Sequence, residues 1–446
     1  MFYWQEYFSF EVPKAPAVLQ GIRNATSYGP TCAQQSAPPG LPFAAQVYPS
    51  VFEERLITSR FPSGLTVDVF RPESSTGAAK LPVFVFIYGG GFEVGNSRDN
   101  DMKPLLERSI ERGELILIVM PNYRVSALGY LAGKEVAAAG KSNLALRNLI
   151  FALEWLQRHI SAFGGDPNRV VTGGVSAGSI SSALLWLNNP QRSNKLFHGV
   201  FLQSGPAIPF PPLSTGQAGY DRLAAATNCS TSGDTLECLR RVPLDTLMAA
   251  VNTTADFESF WSLNLILILV AICDDEGTYL PSISDAEMAG FTRLYPADPS
   301  QGSPFNTGTD TSSRDYIMSA PRRFLLEHAA LNVWGSLNKV GKATNSPIGA
   351  AHASDGPIRF STSTKNGTVS IDVVLLNFIN TLDPNRPANE STGDTSVSWQ
   401  TWNTPSSSGD SSLLMFTDTG IDVTADVFRK EVIDFLNGLR LEDATE

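Results

Sequence analysis

Val170-Val171-Thr172-Gly173-Gly174-Val175-Ser176-Ala177-Gly178-Ser179-Ile180-Ser181-Ser182-Ala183-Leu184-Leu185-Trp186 reads as an apolar strand that turns sharply into a helix. The turn is Gly174-Val175-Ser176-Ala177-Gly178, a G-x-S-x-G pattern. Side chains at its flanks would collide with the backbone, so Gly174 and Gly178 leave room while Ser176 is pushed up over the sheet edge. Ser176 is thus the candidate nucleophile, and a strand feeding a helix through such an elbow predicts an α/β fold with a mostly parallel sheet. A purely structural glycine turn can carry the same five residues, so the decision rests on what accompanies it.

Upstream, Leu81-Pro82-Val83-Phe84-Val85-Phe86-Ile87-Tyr88 reads as a buried strand ending in Gly89-Gly90-Gly91-Phe92. Bare backbone at a strand end can point amides at an anion. The chain has 4 histidines, His159, His198, His328 and His352. In folds built around this elbow the nucleophile precedes the acid and the acid precedes the histidine, which excludes His159. His198 follows the serine too closely to leave room for an acid strand, and His328 sits in a helical pattern. His352 lies in the small-residue stretch Ile348-Gly349-Ala350-Ala351-His352-Ala353-Ser354, suited to a loop that reaches a serine hydroxyl, and is the preferred general base. For the acid, the apolar run Leu265–Cys273 reads as a strand delivering Asp274, Asp275 and Glu276 at its C-terminal end, and the pattern does not choose among the three.

With these residues in view, the chain resembles the type-B carboxylesterase/lipase family, α/β-hydrolases that include cholinesterases and secreted fungal lipases. The markers run in order: Asn24-Ala25-Thr26, Tyr28-Gly29-Pro30, Cys32, Tyr88 to Phe92, Asn122-Tyr123-Arg124, Phe163 to Pro167, the elbow, and Gln203-Ser204-Gly205. Cys229, Cys238-Leu239-Arg240, Asp275 to Thr278, Tyr295-Pro296, Gly349 with His352, and Asp383-Pro384-Asn385 follow. The resemblance implies an α/β-hydrolase fold and a serine hydrolase acting on carboxylic esters through an acyl-enzyme. It assigns Ser176 as nucleophile, Glu276 as acid, His352 as base, and the amides of Gly90, Gly91 and Ala177 as oxyanion donors. It also implies a Cys229–Cys238 disulfide. Tyr88 stands before the glycines in place of His, as in some fungal lipases.

Several positions depart from that pattern. Val175 replaces the Glu that usually precedes the serine, and Asn148-Leu149 replaces an Asp-Gln pair, so two buried carboxylates are missing. The family's amino-terminal portion is absent, and the chain is compressed between Trp261 and Leu265, where relatives carry an extra segment of pocket wall. Gly64 occupies the position that would pair with Cys32, which leaves Cys32 as a thiol and predicts a mobile lid-like loop over 32–64. These departures keep open a competing reading: a weak or inactive hydrolase-like protein used for binding or adhesion, or a truncated gene product. Cys273 reads as a buried small residue.

The whole chain, 1–446, reads as one domain without repeats or a Gly/Ser linker, with a substrate-facing insertion over 207–330. The polar stretch 383–410 reads as a surface excursion before a final helix, Ala425 to Leu439, whose Val427, Phe428, Val432, Phe435 and Leu436 fit core packing. A balance of 44 acidic against 33 basic residues, formal charge −11, argues against nucleic acid and anionic membrane surfaces as partners and leaves a small-molecule or lipid ester. No apolar run approaches the roughly 20 residues a transmembrane helix needs. Sequons at Asn24, Asn228, Asn252, Asn366 and Asn389 fit an extracellular glycoprotein. Yet Met1 to Glu6 opens without a basic region, and Glu6 and Glu11 interrupt any signal-peptide core. No metal is expected, for want of zinc-like spacing, and no nucleotide cofactor, for want of a Walker lysine or a G-x-G-x-x-G context.

Overall fold

The computed structural model describes residues 2–3, 10–15, 21, 24–35, 64–73, 75–188, 190–208, 210, 212–253, 284–294, 315–340, 371–385, 398–404, 409–417 and 420–443. They fall into two compact units, Met1–Leu106 with Leu115–Gln203 and Phe210–Asn264, and Glu107–Glu114 with Ser204–Pro209 and Leu265–Glu446.

The first unit is organised by a six-stranded sheet of order β1-β2-β4-β3-β5-β6. Its strands are β1 (Phe2–Tyr3), β2 (Thr66–Phe70), β3 (Leu81–Ile87), β4 (Leu117–Pro121), β5 (Gly165–Val175) and β6 (Gly199–Gln203). β3 pairs in parallel with β4 and β5, and β5 with β6, while β2 runs antiparallel to β4. Val83 to Ile87 and Leu117 to Met120 are buried without alternation, as strands covered on both faces must be. Pro82 sits where the β3–β5 register shifts between Leu81 and Val83, a place that tolerates its missing N–H. The helices Leu144–His159 and Ala177–Asn188 flank the sheet strands in sequence, each with a buried face.

A separate apolar cluster in this unit gathers Phe10, Leu128, Tyr220, Leu223, Leu239 and Leu247 around Cys229. Cys229 and Cys238 form the expected disulfide, tying the helix Gln217–Ala226 to Thr235–Arg241. The amino-terminal segment is anchored here as well. Glu11 meets Lys141 at 2.6 Å and Arg240 at 3.0 Å. Burial would raise the Glu11 pKa, but those two cations outweigh it and lower it.

In the second unit β7 (Gly335–Asn338) pairs in parallel with β8 (Ser412–Thr417), and β8 pairs antiparallel with β9 (Gly420–Ala425). Val340, Val374, Trp399, Leu414 and Phe416 make one core cluster. The stretch 383–410 is therefore more than a surface excursion, because Trp399 and Trp402 within it are buried. The final helix is also displaced from its expected start. It spans Lys430–Asp443, since Ala425 ends β9, and Val427 and Phe428 are half exposed in the intervening turn. Val432 and Leu436 are buried as expected. The run Leu265–Cys273 lies outside the described residues, as does most of 32–64.

Asp426 holds this unit together electrostatically. Its carboxylate, 1% exposed, accepts from both Nη atoms of Arg322 at 2.9 Å, from Nη2 of Arg323 at 2.8 Å and from the Trp402 indole at 2.9 Å. Arg323 is buried, and its Nε and Nη1 make no hydrogen bond among the described residues. Burial alone would raise the Asp426 pKa, but the hydrogen bonds and charge of Arg322, then Arg323, bring it down to about 2. A depressed carboxylate pKa stabilises the fold above the unfolded value and loses that effect as pH falls. Stability should therefore drop between about pH 4 and about pH 2, by roughly 2–3 kcal/mol from this group. Asp426→Asn should cost about 3–5 kcal/mol at neutral pH in urea denaturation, because it strands two guanidinium groups. A loss below about 1 kcal/mol would contradict this account.

Candidate active site

Ser176 is the single residue between the end of β5 and the helix Ala177–Asn188, and its φ is +56°. That backbone conformation is uncommon for a residue with a side chain, and the surrounding contacts show what enforces it. A Cβ at Gly178 would sit 2.0 Å from the Ile87 carbonyl oxygen and 2.5 Å from that of Tyr88. One at Gly174 would sit 2.2 Å from the same Ile87 oxygen. Both elbow glycines are thus pressed against the C-terminal end of β3. The Ser176 N–H donates to the Gln203 carbonyl at 2.9 Å, and its own carbonyl accepts from Ile180, opening the helix.

The glycine loop lies against this elbow. A Cβ on Gly89 would meet the Val175 carbonyl oxygen at 2.6 Å and the Ser176 Cβ at 2.9 Å. The Gly90 carbonyl accepts from the N–H groups of Glu93 and Val94, both at 3.1 Å. In a trans peptide the next N–H points the opposite way, so the Gly91 amide is turned out of that tight turn. The Gly89 carbonyl faces Gly95, whose Cβ would lie 2.4 Å from it, so the Gly90 amide is turned away from Gly95. Neither amide donates to another group among the described residues. At the helix start the Ala177 N–H has no intrahelical acceptor, and the helix dipole there favours negative charge. Amides of this kind can receive an oxyanion.

Two tyrosines hold the loop from beneath. The Tyr88 hydroxyl donates to the Tyr123 carbonyl at 2.8 Å and accepts from the Tyr123 N–H at 3.0 Å. In return the Tyr123 hydroxyl donates to the Tyr88 carbonyl at 2.8 Å. Their rings stack at 4.3 Å and 17°. Both are fully buried, and burial raises both phenol pKa values well above the ordinary value. At the other end of the turn the Gly95 N–H donates to Gln34 Oε1 at 2.7 Å, and the N–H of buried Ser126 donates to the Phe92 carbonyl at 2.7 Å. In the sequence Tyr123 stands only as part of the Asn122-Tyr123-Arg124 marker. Its role is signalled by position: β3 and β4 are parallel neighbours, and Tyr88 and Tyr123 follow their C-terminal ends.

The departures noted in the sequence have definite surroundings. Val175 is buried and brings no carboxylate to the elbow. Asn148, also buried, accepts through Oδ1 from Arg124 N–H at 3.3 Å and Arg124 Nε at 3.0 Å, with Nδ2 lacking a partner among the described residues. Cys32 is a buried thiol, pushed up to about 12 by burial. A Cβ on Gly64 would come within 2.4 Å of the Cys32 Cα, so the two chain positions stay adjacent without the disulfide.

The structure thus brings together Ser176, Ala177 and the Gly89-Gly90-Gly91 loop. Glu276 and His352 lie outside the described residues, as do Asp274, Asp275 and Cys273. His159 and His328 are each the last residue of a helix, next to Trp155 and Phe324 respectively, and His198 Nδ1 faces the Val170 N–H at 3.4 Å.

A family model described as "Carboxylesterase family" matches residues 8–286. Lipase 4 of Diutina rugosa is 31% identical, the match covering 92% of this chain and 86% of that protein. A second relative, the inactive carboxylesterase-like protein VdtD of Byssochlamys spectabilis, is 34% identical over 51% of this chain and 39% of its own length. Among solved structures, Aspergillus niger EstA superposes with a TM-score of 0.75 at 21% identity, covering 97% of this chain and 92% of the other. That likeness fixes the fold as the α/β-hydrolase arrangement, with its mostly parallel sheet.

The close approach at Gly178 has a direct test. Gly178→Ala should lower the melting temperature, because backbone oxygens at 2.0 and 2.5 Å cannot yield without moving β3 or the elbow. Gly438→Ala, in the helix Lys430–Asp443 with nothing within 4 Å, should instead stabilise by about 1 kcal/mol. Equal effects of the two in thermal denaturation would show that the crowding at the elbow is not limiting.

Proposed function

The chain belongs to the carboxylesterase family and is a carboxylic ester hydrolase of the carboxylesterase/lipase kind, and on that premise we propose that it works through an acyl-enzyme on Ser176. The observation that carries the reading is the strained elbow, with Ser176 at φ +56° and Gly89 packed against its Cβ. Ser176 Oγ attacks the ester carbonyl as His352 takes its proton. Glu276 accepts the imidazole N–H, fixing its tautomer and stabilising the imidazolium. The amides of Gly90, Gly91 and Ala177 hold the oxyanion of the tetrahedral intermediate. His352 then returns the proton to the leaving alcohol, and water releases the acid by the same steps in reverse order.

The substrate is a small-molecule or lipid ester, with 32–64 as a lid-like loop and 207–330 as the substrate-facing region of a single 1–446 hydrolase domain. Secretion as a glycoprotein is supported by the disulfide and by the exposure of Asn24, Asn228 and Asn252. Asn366 and Asn389 lie outside the described residues. Among the described residues no helix is long and apolar enough to cross a membrane. A second reading, a catalytically weak or inactive relative, is favoured by Val175 and by the existence of an inactive relative at 34% identity.

A fluorophosphonate probe separates the two. The active protein should take up one label, which mass spectrometry should locate on Ser176 and which Ser176→Ala should abolish. Folded protein that takes no label and cleaves no p-nitrophenyl ester, short or long, would establish the inactive reading. In an active protein Glu276→Gln should lower turnover by several powers of ten, with Asp274→Asn and Asp275→Asn far milder. An aspartate change as severe as the glutamate change would move the acid to that position.

A further inference from the structure

We propose that Tyr123 is a positioning residue for the oxyanion-binding loop, holding through its hydroxyl the peptide from which Gly89-Gly90-Gly91 departs. This rests on the acyl-enzyme reading of Ser176. A run of three glycines has more conformational freedom than any other tripeptide, and donors to an oxyanion help only if they are fixed before the charge develops. Something outside the loop must therefore fix it.

The far end is fixed by the turn onto the Gly90 carbonyl and by Gln34 at Gly95. At the near end the first carbonyl, that of Tyr88, accepts the Tyr123 hydroxyl at 2.8 Å. The same carbonyl oxygen lies 2.5 Å from where a Cβ on Gly178 would be, so it touches both the loop and the elbow. Rotating the Tyr88–Gly89 peptide would break the Tyr123 bond and swing Gly89 on its contact with Ser176. Tyr123 cannot drift away to follow such a rotation, because its own N–H and carbonyl are both bonded to the Tyr88 hydroxyl. The three bonds form a closed reciprocal clamp around two stacked rings, with no water-exposed edge on either. Both phenols are pushed well above their ordinary values by burial, so the donors stay protonated and the clamp does not switch with pH.

Tyr123→Phe keeps the ring and the stack and removes only the hydroxyl on the Tyr88 carbonyl. With kcat normalised to serine titrated by fluorophosphonate, it should lower kcat on a p-nitrophenyl ester about tenfold or more, below the 10²–10³ loss known for deleting an oxyanion donor outright. KM should stay within about twofold, and the pH profile should keep its midpoint. The Ki of a trifluoromethyl ketone, whose hemiketal oxyanion occupies the same site, should rise in proportion to the loss in kcat/KM. Tyr88→Phe, which leaves the Tyr123 hydroxyl in place, should show the same pattern more weakly and serves if Tyr123→Phe does not fold. Unchanged kcat per titrated site and unchanged Ki in a folded variant, or a lowered melting temperature with normal kcat per site, would overturn the positioning role while leaving the acyl-enzyme reading intact. A parent protein that neither hydrolyses esters nor takes the label would overturn both.

Discussion

The carbonyl oxygens of Ile87 and Tyr88 occupy the space that side chains at positions 174 and 178 would need. Everything at the site follows from that close approach. The end of β3 must meet the start of the helix Ala177–Asn188 with no intervening side chain, so the chain turns through Ser176 at positive φ. The same proximity seats the loop after β3 beside the serine it is proposed to serve. No attractive contact there is as decisive as the absence of two Cβ atoms, since dispersion between a few atoms is worth tenths of a kcal/mol while overlap at 2.0 Å is prohibitive.

That constraint is legible in sequence because the glycines flanking Ser176 at one strand end are accompanied by the Gly89-Gly90-Gly91 run at the end of another. β3 was legible from its unbroken apolar run, β5 only from Val170 onward, since it begins at Gly165 and runs through Asp166, Asn168 and Arg169, and the Cys229–Cys238 disulfide from the family resemblance. Less of the second unit could be read. Val427 and Phe428 fit a helical period, yet Ala425 closes a strand pair with Ser412 and leaves both in a half-exposed turn. Pairing across distant segments overrode a local period there. Trp399 and Trp402 were lost to the same cause, since the polar residues around them set the average of the stretch but the two indoles set its packing. The tyrosine clamp was invisible for another reason: its partners are separated by 35 residues and meet only because β3 and β4 are neighbours.

The two units also solve the problem of buried polarity differently. In the second, Asp426 with Arg322 and Arg323, and Asp315 with Arg429, are buried ion pairs. Such pairs trade a large desolvation cost against geometry and fail steeply when one partner is removed. Beneath the elbow the polar groups are instead largely uncharged. Tyr88 and Tyr123 satisfy each other and Asn148 offers an amide oxygen to Arg124, while Val175 adds nothing polar at all.

This difference bears on how the proposed site would behave. Neutral hydrogen bonds between buried groups cost little to desolvate and do not titrate near neutral pH, so they can hold backbone donors in place without adding a charge of their own. Where the family places carboxylates, a negative charge close to the serine would oppose a developing oxyanion and raise the pKa of a nearby imidazole. Val175 removes both effects at the elbow, whereas Asn148 lies against the buried Arg124 guanidinium, to which it offers an amide oxygen. The missing carboxylate at 175 is thus compatible with either reading of the protein: the neutral tyrosine clamp still holds the peptide that leads into the glycine loop, and the buried cation nearby, Arg124, meets an amide oxygen of Asn148.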